Sequence, residues 1–158
     1  MSTAILLCNM GGPTAIEDVK PYLENIFLDP DIIDIPFGSK FRTSLARFIA
    51  NRREKKSRKI FEYLGGKSPL PEISDMQAKK LEEALKDEEI KVFSAMRYWH
   101  PFTEDVWEQL TEAGFDKVLA ISLYAFYSST TAGSLINILN YLNNNEDSPK
   151  DLQIIDRF

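Results

Sequence analysis

Ala4–Cys8 is an unbroken apolar run that stops at Asn9 and the turn residues Gly11-Gly12-Pro13. A run of this kind predicts a strand buried on both faces. Thr14-Ala15-Ile16-Glu17 has the spacing of a capping box and predicts a helix start. Ile16, Val19, Leu23 and Ile26 continue it at helical spacing, with Pro21 inside as an expected kink. From Phe27 to Phe48 the pattern loosens. Asp29-Pro30-Asp31 marks a turn, and Ile32, Ile33, Ile35, Phe37, Phe41, Leu45 and Phe48 follow without a clean period. Gly65-Gly66-Lys67-Ser68-Pro69 breaks whatever helix precedes it. Gln77–Leu85 predicts an amphipathic helix with Leu81 and Leu85 inward. Lys91–Met96, Lys117–Leu123 and Leu152–Ile155 predict three more strands, with helices over Phe102–Ala113 and Leu135–Leu142 between them.

This alternation of strand and helix predicts an α/β fold, a four-stranded parallel sheet with helices on both faces. Ligands of such sheets gather at the carboxyl ends of the strands. Three segments fall there: Asn9–Pro13, Arg97–Pro101 and Tyr124–Ser134.

Composition narrows the chemistry. The 158 residues suit one domain, which at this size buries roughly 70% of its unfolded surface. Nineteen basic against twenty-four acidic residues give a net charge of −5, which argues against wholesale wrapping of nucleic acid. One cysteine, Cys8, excludes an internal disulfide, a thiolate-built zinc site and an iron–sulfur cluster held by cysteines of this chain. One histidine, His100, excludes a mechanism needing two from this chain. No stretch reads as a signal peptide core or a membrane span, so a soluble protein of a reducing, cytoplasmic compartment is expected.

Each candidate segment has a plain and a functional reading. Asn9–Thr14 joins a strand to a helix amino terminus, where glycines admit a ligand to the backbone; it is equally a tight turn. It lacks the spacing of a dinucleotide fingerprint or a P-loop. Arg52, Arg53, Lys55, Lys56, Arg58 and Lys59 could grip carboxylates or phosphates, but their charge pattern alone favours a solvated helix face. Gly-Lys-Ser at 66–68 has the wrong glycine spacing for Walker A and reads as a turn. Beside Pro101, His100 reads as structural rather than as a base. Tyr124–Ser134 holds two phenols and five hydroxyls, more than one helix cap needs, which favours an anion-binding role. Pattern alone stops at an α/β domain for an anionic, aromatic ligand.

Several segments, in this order, resemble ferrochelatase, the family that inserts ferrous iron into protoporphyrin IX to make protoheme. They are Leu6–Pro13 (LLCNMGGP), Phe27–Asp31 (FLDPD), Leu64–Leu70 (LGGKSPL), Met96–Phe102 (MRYWHPF), Tyr127–Thr131 (YSSTT) and the closing Ile155–Phe158 (IDRF). The match spans nearly the whole chain and resembles bacterial members. It covers only the amino-terminal half of the family, whose proteins place porphyrin between two similar Rossmann-like domains. The family's catalytic histidine lies in a Ser-x-His-x-Leu-Pro motif of the second domain. No such motif occurs here, and His100 does not correspond to it. The resemblance therefore implies one amino-terminal chelatase domain over 1–158, a second domain elsewhere, and no catalytic residue or metal ligand set in this chain. The isolated chain is expected to be inactive.

Carried over by position, the resemblance implies that Met10 faces the porphyrin. Ile26, Phe27 and Ile32 would form an apolar lip at the cleft mouth, through which peripheral contact with the inner membrane is also implied. Arg53 and Lys56 would hold the propionates, reversing the plain reading of that charged stretch. Ser68 would lie beside the pocket. Arg97, Tyr124 and Phe158 would line a route for the metal, with Tyr124 also against the porphyrin. Three positions depart from the common pattern. Phe61 replaces a Tyr, Lys67 replaces the third Gly of Gly-Gly-Gly-Ser-Pro, and Ser129 stands where cluster-bearing members have Cys. No iron–sulfur cluster or other cofactor is expected. Iron must displace two pyrrole protons, which needs a base on one face, and binding energy can offset bending of the macrocycle. Two alternatives stand beside this reading: a non-catalytic tetrapyrrole-binding module, and a half-length chelatase acting as a homodimer.

Overall fold

In the computed structural model, residues 2–33, 38–86, 90–146 and 150–157 are described. Four parallel strands form one sheet: β1 (Thr3–Asn9), β2 (Ile90–Met96), β3 (Lys117–Ser122) and β4 (Asp151–Ile155). Their order is β2-β1-β3-β4, with Ala4 beside Lys91 on one side and Val118 on the other. The expected α/β class and four-stranded parallel sheet are therefore found.

Alternation along β1 divides the core. Ala4, Leu6 and Cys8 face one layer, where α4 (Thr103–Glu112) and α5 (Ser134–Asn144) bring Val106, Trp107, Leu110, Leu135 and Leu139. Ile5 and Leu7 face the other, where α3 (Leu70–Ala84) brings Ala78 and Leu81. β1 is buried on both faces because it sits inside the sheet with helices above and below, which is why its sequence is apolar without interruption.

The expected helix start at Thr14 shifts by a few residues. A short 3-10 turn, Ile16–Asp18, precedes α1 (Val19–Leu28), and Asp18 rather than Glu17 makes the cap. Its carboxylate accepts from Ala15 N–H at 2.9 Å and Thr14 Oγ1 at 2.7 Å. Pro21 lies in the first turn of α1, where a helix lacks partners for its N–H groups anyway, so no kink is required of it.

The largest departure is α2 (Ser39–Tyr63), one 25-residue helix through the stretch that looked patternless. At 1.5 Å per residue it is about 37 Å long. Its fully buried residues are small: Ala46 and Ala50 pack on Val19, Leu23 and Phe27 of α1, with Ile49 and Phe61 partly buried beside them. Its other large residues Phe41 and Phe48 are more than half exposed. Alanines at the deepest positions and exposed aromatics blur the usual amphipathic signal. α3 likewise begins seven residues before the expected Gln77, with Pro71 in its first turn. Ile35 and Phe37 lie outside the described residues.

Candidate functional site

β2 and β3 flank β1, so the chain reverses direction of travel across the sheet at β1. In open α/β sheets the crevice for a ligand lies outside the carboxyl ends of the strands at such a point. Three connections meet there: Met10–Ala15 after β1, Arg97–Phe102 after β2 and Leu123–Ser128 after β3. They are stitched by backbone bonds. Arg97 N–H donates to Asn9 O at 2.8 Å, Tyr98 N–H to Met10 O at 3.1 Å, and Leu123 N–H to Cys8 O at 2.8 Å.

Glycines make the close approach feasible. Gly11 has φ +83°, and a Cβ there would stand 2.9 Å from Met96 Cβ. A Cβ on Gly12 would meet the Ser68 side chain at 2.4 Å. The turn after β1 therefore packs directly on the Gly65–Pro69 loop, and Ser68 N–H donates to Pro13 O at 2.8 Å. Ser68 is buried, and its hydroxyl accepts from Leu70 N–H at 3.3 Å. It joins two loops instead of opening toward a cavity. Lys67, the departure from three glycines, pairs with Glu72 on α3.

An aromatic cluster occupies the crevice wall. Tyr22, Tyr98 and Trp99 are buried together, with Met10, Ile26, Ile32 and Phe61 packed against them. The rings meet edge to face: Tyr22–Trp99 centroids are 6.4 Å apart and Tyr22–Phe61 6.5 Å. Three of the residues singled out for porphyrin contact, Met10, Ile26 and Ile32, are thus one surface. Phe27, one residue after Ile26, is buried against α2 in a second cluster that Ile26 also touches, with the Arg53 guanidinium 5.7 Å from its ring centre.

Beneath this wall lies a polar knot. The Asp29 carboxylate follows the end of α1 and is almost fully buried, with its side chain 1% exposed. Arg97 Nη2 stands 3.0 Å from Asp29 Oδ2, and Tyr98 Oη donates to the same oxygen at 2.8 Å. Ser134, the first residue of α5, also donates to Oδ2 and accepts from Arg97 Nε at 2.9 Å. Asp31 N–H donates to Asp29 Oδ1 at 2.8 Å. Burial works against ionisation of Asp29. The bonds from Ser134, Asp31 N–H and Tyr98, with the charge of Arg97, outweigh it and hold the carboxyl below its usual range. Burial pushes the Tyr98 and Tyr124 phenols well up and that of Tyr22 to about 12, so all three are neutral hydroxyls at physiological pH.

Arg97 and Tyr124, proposed metal-route residues, are thus neighbours of this knot, and the Arg97 guanidinium is already committed. Glu104 Oε1 lies 3.6 Å from its Nη1. Phe158, the third, lies outside the described residues. Asp29, Tyr98, Ser134 and Tyr22 were missed as site residues. Asp29 read as a turn residue, although an Arg placed beyond a buried strand calls for a counter-charge somewhere.

Arg53 and Lys56 lie one helical turn apart and line one depression of about 270 Å³ on α2 with Ser57 and Ile60. Neither makes an ion pair among the described residues, whereas Arg58 is tied to Glu54 at 2.9 Å. The helix carries nine basic and two acidic residues, +7, against −12 for the remainder of the chain. His100 is exposed, edge to face with Phe102 at 4.4 Å between ring centres and 4.0 Å from Asp105 Oδ2. Ser129 opens a short π-helical turn (Ser129–Gly133) ahead of α5. No group of three or more metal-ligating side chains is found among the described residues. No helix among them is long and apolar enough to cross a membrane.

The family model for ferrochelatase matches residues 2–158. Ferrochelatase of Geotalea daltonii is 42% identical over 156 residues, covering 99% of this chain and 48% of that protein. Ferrochelatase of a Sulfurihydrogenibium species is 45% identical over 133 residues, 84% of this chain and 39% of that protein. Chloroplastic ferrochelatase-2 of indica rice is 45% identical over 138 residues, 85% of this chain and 26% of that protein. The chain thus spans about a quarter to a half of the length of these relatives.

Proposed function

The chain belongs to the ferrochelatase family, and on that premise we propose that it supplies the porphyrin-gripping wall for insertion of ferrous iron into protoporphyrin IX. The observation that carries the reading is the convergence of Met10, Ile26 and Ile32 on one aromatic cluster at the strand ends, to which α2, the helix that carries Arg53 and Lys56, contributes Phe61. A flat macrocycle gains from the apolar wall, each large apolar residue buried against it contributing about 1.5–3 kcal/mol. Its two propionates gain from Arg53 and Lys56, Arg by bidentate bonds.

The proton acceptor for the two pyrrole N–H groups is proposed to come from a second domain, outside these 158 residues. Tyr22, Tyr98 and Tyr124 are poor bases because burial keeps them protonated, and His100 lies at the surface. The three phenols serve as neutral edges of the wall. With Cys8 buried and Ser129 at the remaining candidate position, no iron–sulfur cluster is proposed. Peripheral contact with an anionic membrane is proposed for the outward face of α2. There Phe41, Phe48 and Tyr63 share one side of the helix with Arg52, Lys55 and Lys59 on a protein that is otherwise acidic.

The test is complementation. The chain is mixed with a separately expressed carboxy-terminal half of the Geotalea relative, and metal insertion is followed by loss of free-porphyrin fluorescence. Insertion by the mixture, with none by either part alone, is expected. Turnover by this chain alone would contradict the reading. Tight porphyrin binding by the chain with no activity in the mixture would favour a carrier.

A further inference from the structure

The buried knot raises a question that the wall alone does not answer: what fixes the orientation of Tyr98 and Arg97. Both follow β2 directly, in a connection with no regular structure of its own. Their backbone is pinned to Asn9 and Met10, but their side chains reach across the crevice to other elements. Arg97 and Tyr98 each reach both the Ser134 hydroxyl and the Asp29 carboxylate, and of these two partners only Asp29 carries a charge. It receives Tyr98, Arg97 and Ser134 on a single carboxylate oxygen and the Asp31 N–H on the other. The loop that carries it is fastened again one step on, where both Asp31 oxygens accept from Asn137 Nδ2 on α5, at 2.9–3.0 Å. The end of α1, the end of β2 and the start of α5 are thereby joined at one point.

We infer that Asp29 is a positioning residue of the crevice: its carboxylate aims the Tyr98 ring and the Arg97 guanidinium, and through them sets the surface presented to the ligand. The inference rests on the proposed function, because the Tyr98 ring belongs to the same cluster as Met10, Ile26 and Ile32. Two features separate it from a plain structural bond. Arg97 lies 5.2 Å over the Tyr98 ring, so a shift of the guanidinium moves the ring. Asp29 also cancels the positive charge of a largely buried Arg97, so the wall faces a neutral macrocycle without a free cation at its base. Without Asp29, Arg97 would keep only Ser134 and the partly exposed Glu104, 3.6 Å away, and its uncancelled charge would disturb the Tyr98 ring beneath it.

The test compares Asp29→Asn and Asp29→Glu with the parent chain by two readouts. The first is the set of Arg97 Nη–H resonances in nitrogen-15 NMR at low temperature, since Nη2 is the atom beside Asp29; they are expected to be resolved and slowly exchanging in the parent, averaged and fast-exchanging in Asp29→Asn, and kept in Asp29→Glu. The second is a protoporphyrin titration followed by Soret absorbance and induced Soret circular dichroism. Asp29→Asn is expected to weaken binding tenfold or more and to change the sign or shape of the induced signal, with Asp29→Glu in between. Unchanged Arg97 resonances in Asp29→Asn would overturn the inference. So would a lowered melting temperature with unchanged affinity and unchanged Soret dichroism, the mark of a purely structural bond. If Asp29→Asn does not fold, Tyr98→Phe decides, since it removes one hydroxyl and no charge. An altered Soret dichroism supports the inference and an unaltered one overturns it. If the parent binds no porphyrin, the proposed function fails by itself, and the Arg97 resonances still decide whether Asp29 sets Arg97.

Discussion

Arg97, at the strand ends, and Arg53, on α2, live in opposite surroundings. Arg97 is 16% exposed and shared among Asp29, Ser134 and Glu104. Arg53 sits on an exposed helix face with a phenyl ring beneath it and no carboxylate within ion-pair distance among the described residues. A desolvated guanidinium must be paired, because leaving one buried charge without its partner is strongly destabilising. An exposed one is solvated and stays available to an incoming anion. The difference sorts charge by role: the knot joins three elements, and α2 leaves exposed the cations proposed to hold the propionates.

The strongest way to break this contrast is to remove one side of the buried pair. Arg97→Met should lower the unfolding free energy by about 3–5 kcal/mol, read by urea denaturation, because Asp29 is left buried without its counter-charge. A loss no larger than that of a surface substitution would mean the knot is solvated. Next comes the support under α2. Ala50 is fully buried against α1, so Ala50→Leu should cost about 1–3 kcal/mol through overpacking and displace the cations from the wall. Unchanged stability with unchanged ligand affinity would show that α2 is not held where it is by this contact.

Acid sharpens the same contrast. Asp29 has a folded-state carboxyl pKa below its unfolded value. Its contribution is therefore fully present above the unfolded value, near 4, and is lost as pH falls toward the lower folded value. Stability measured between pH 5 and pH 2 should fall in the parent. The fall should be shallower in Asp29→Asn, which has nothing to titrate there. The smallest effect on stability is expected on the open side. Arg53→Gln with Lys56→Gln should stay within about 0.5 kcal/mol of the parent in denaturation, as exposed substitutions do. The same pair should weaken porphyrin binding about tenfold and flatten its dependence on salt, since exposed charges are screened.

β1 was legible because it is buried on both faces, and the other strands as short apolar runs between turn signals. Ala4–Cys8, Lys117–Leu123 and the short runs between turn signals leave no other reading. α2 was not legible, because alanines hold its most buried positions while Phe41 and Phe48 are exposed. The cations of α2 read as a solvated face on charge pattern alone; only the resemblance singled out Arg53 and Lys56. Their shared depression, and the absence of an ion partner among the described residues, are features of three-dimensional placement that no spacing rule carries. Asp29 shows the same limit from the other side. A carboxylate before proline reads as a turn, and its partners Arg97 and Ser134 lie 68 and 105 positions away. Met10, Ile26 and Ile32 could be placed together only by resemblance, because their convergence depends on how α1 crosses the end of β1.

The central claim is that the open cations of α2 hold the propionates while the knot stays occupied with itself. The most direct measurement compares binding of protoporphyrin IX and its dimethyl ester, by Soret titration at low and high salt, in the parent and in Arg53→Gln with Lys56→Gln. The account predicts that the parent prefers the free acid, that salt erodes the preference, and that the double variant loses it. Equal affinity of the parent for acid and ester, or a preference that survives in the double variant, would contradict it.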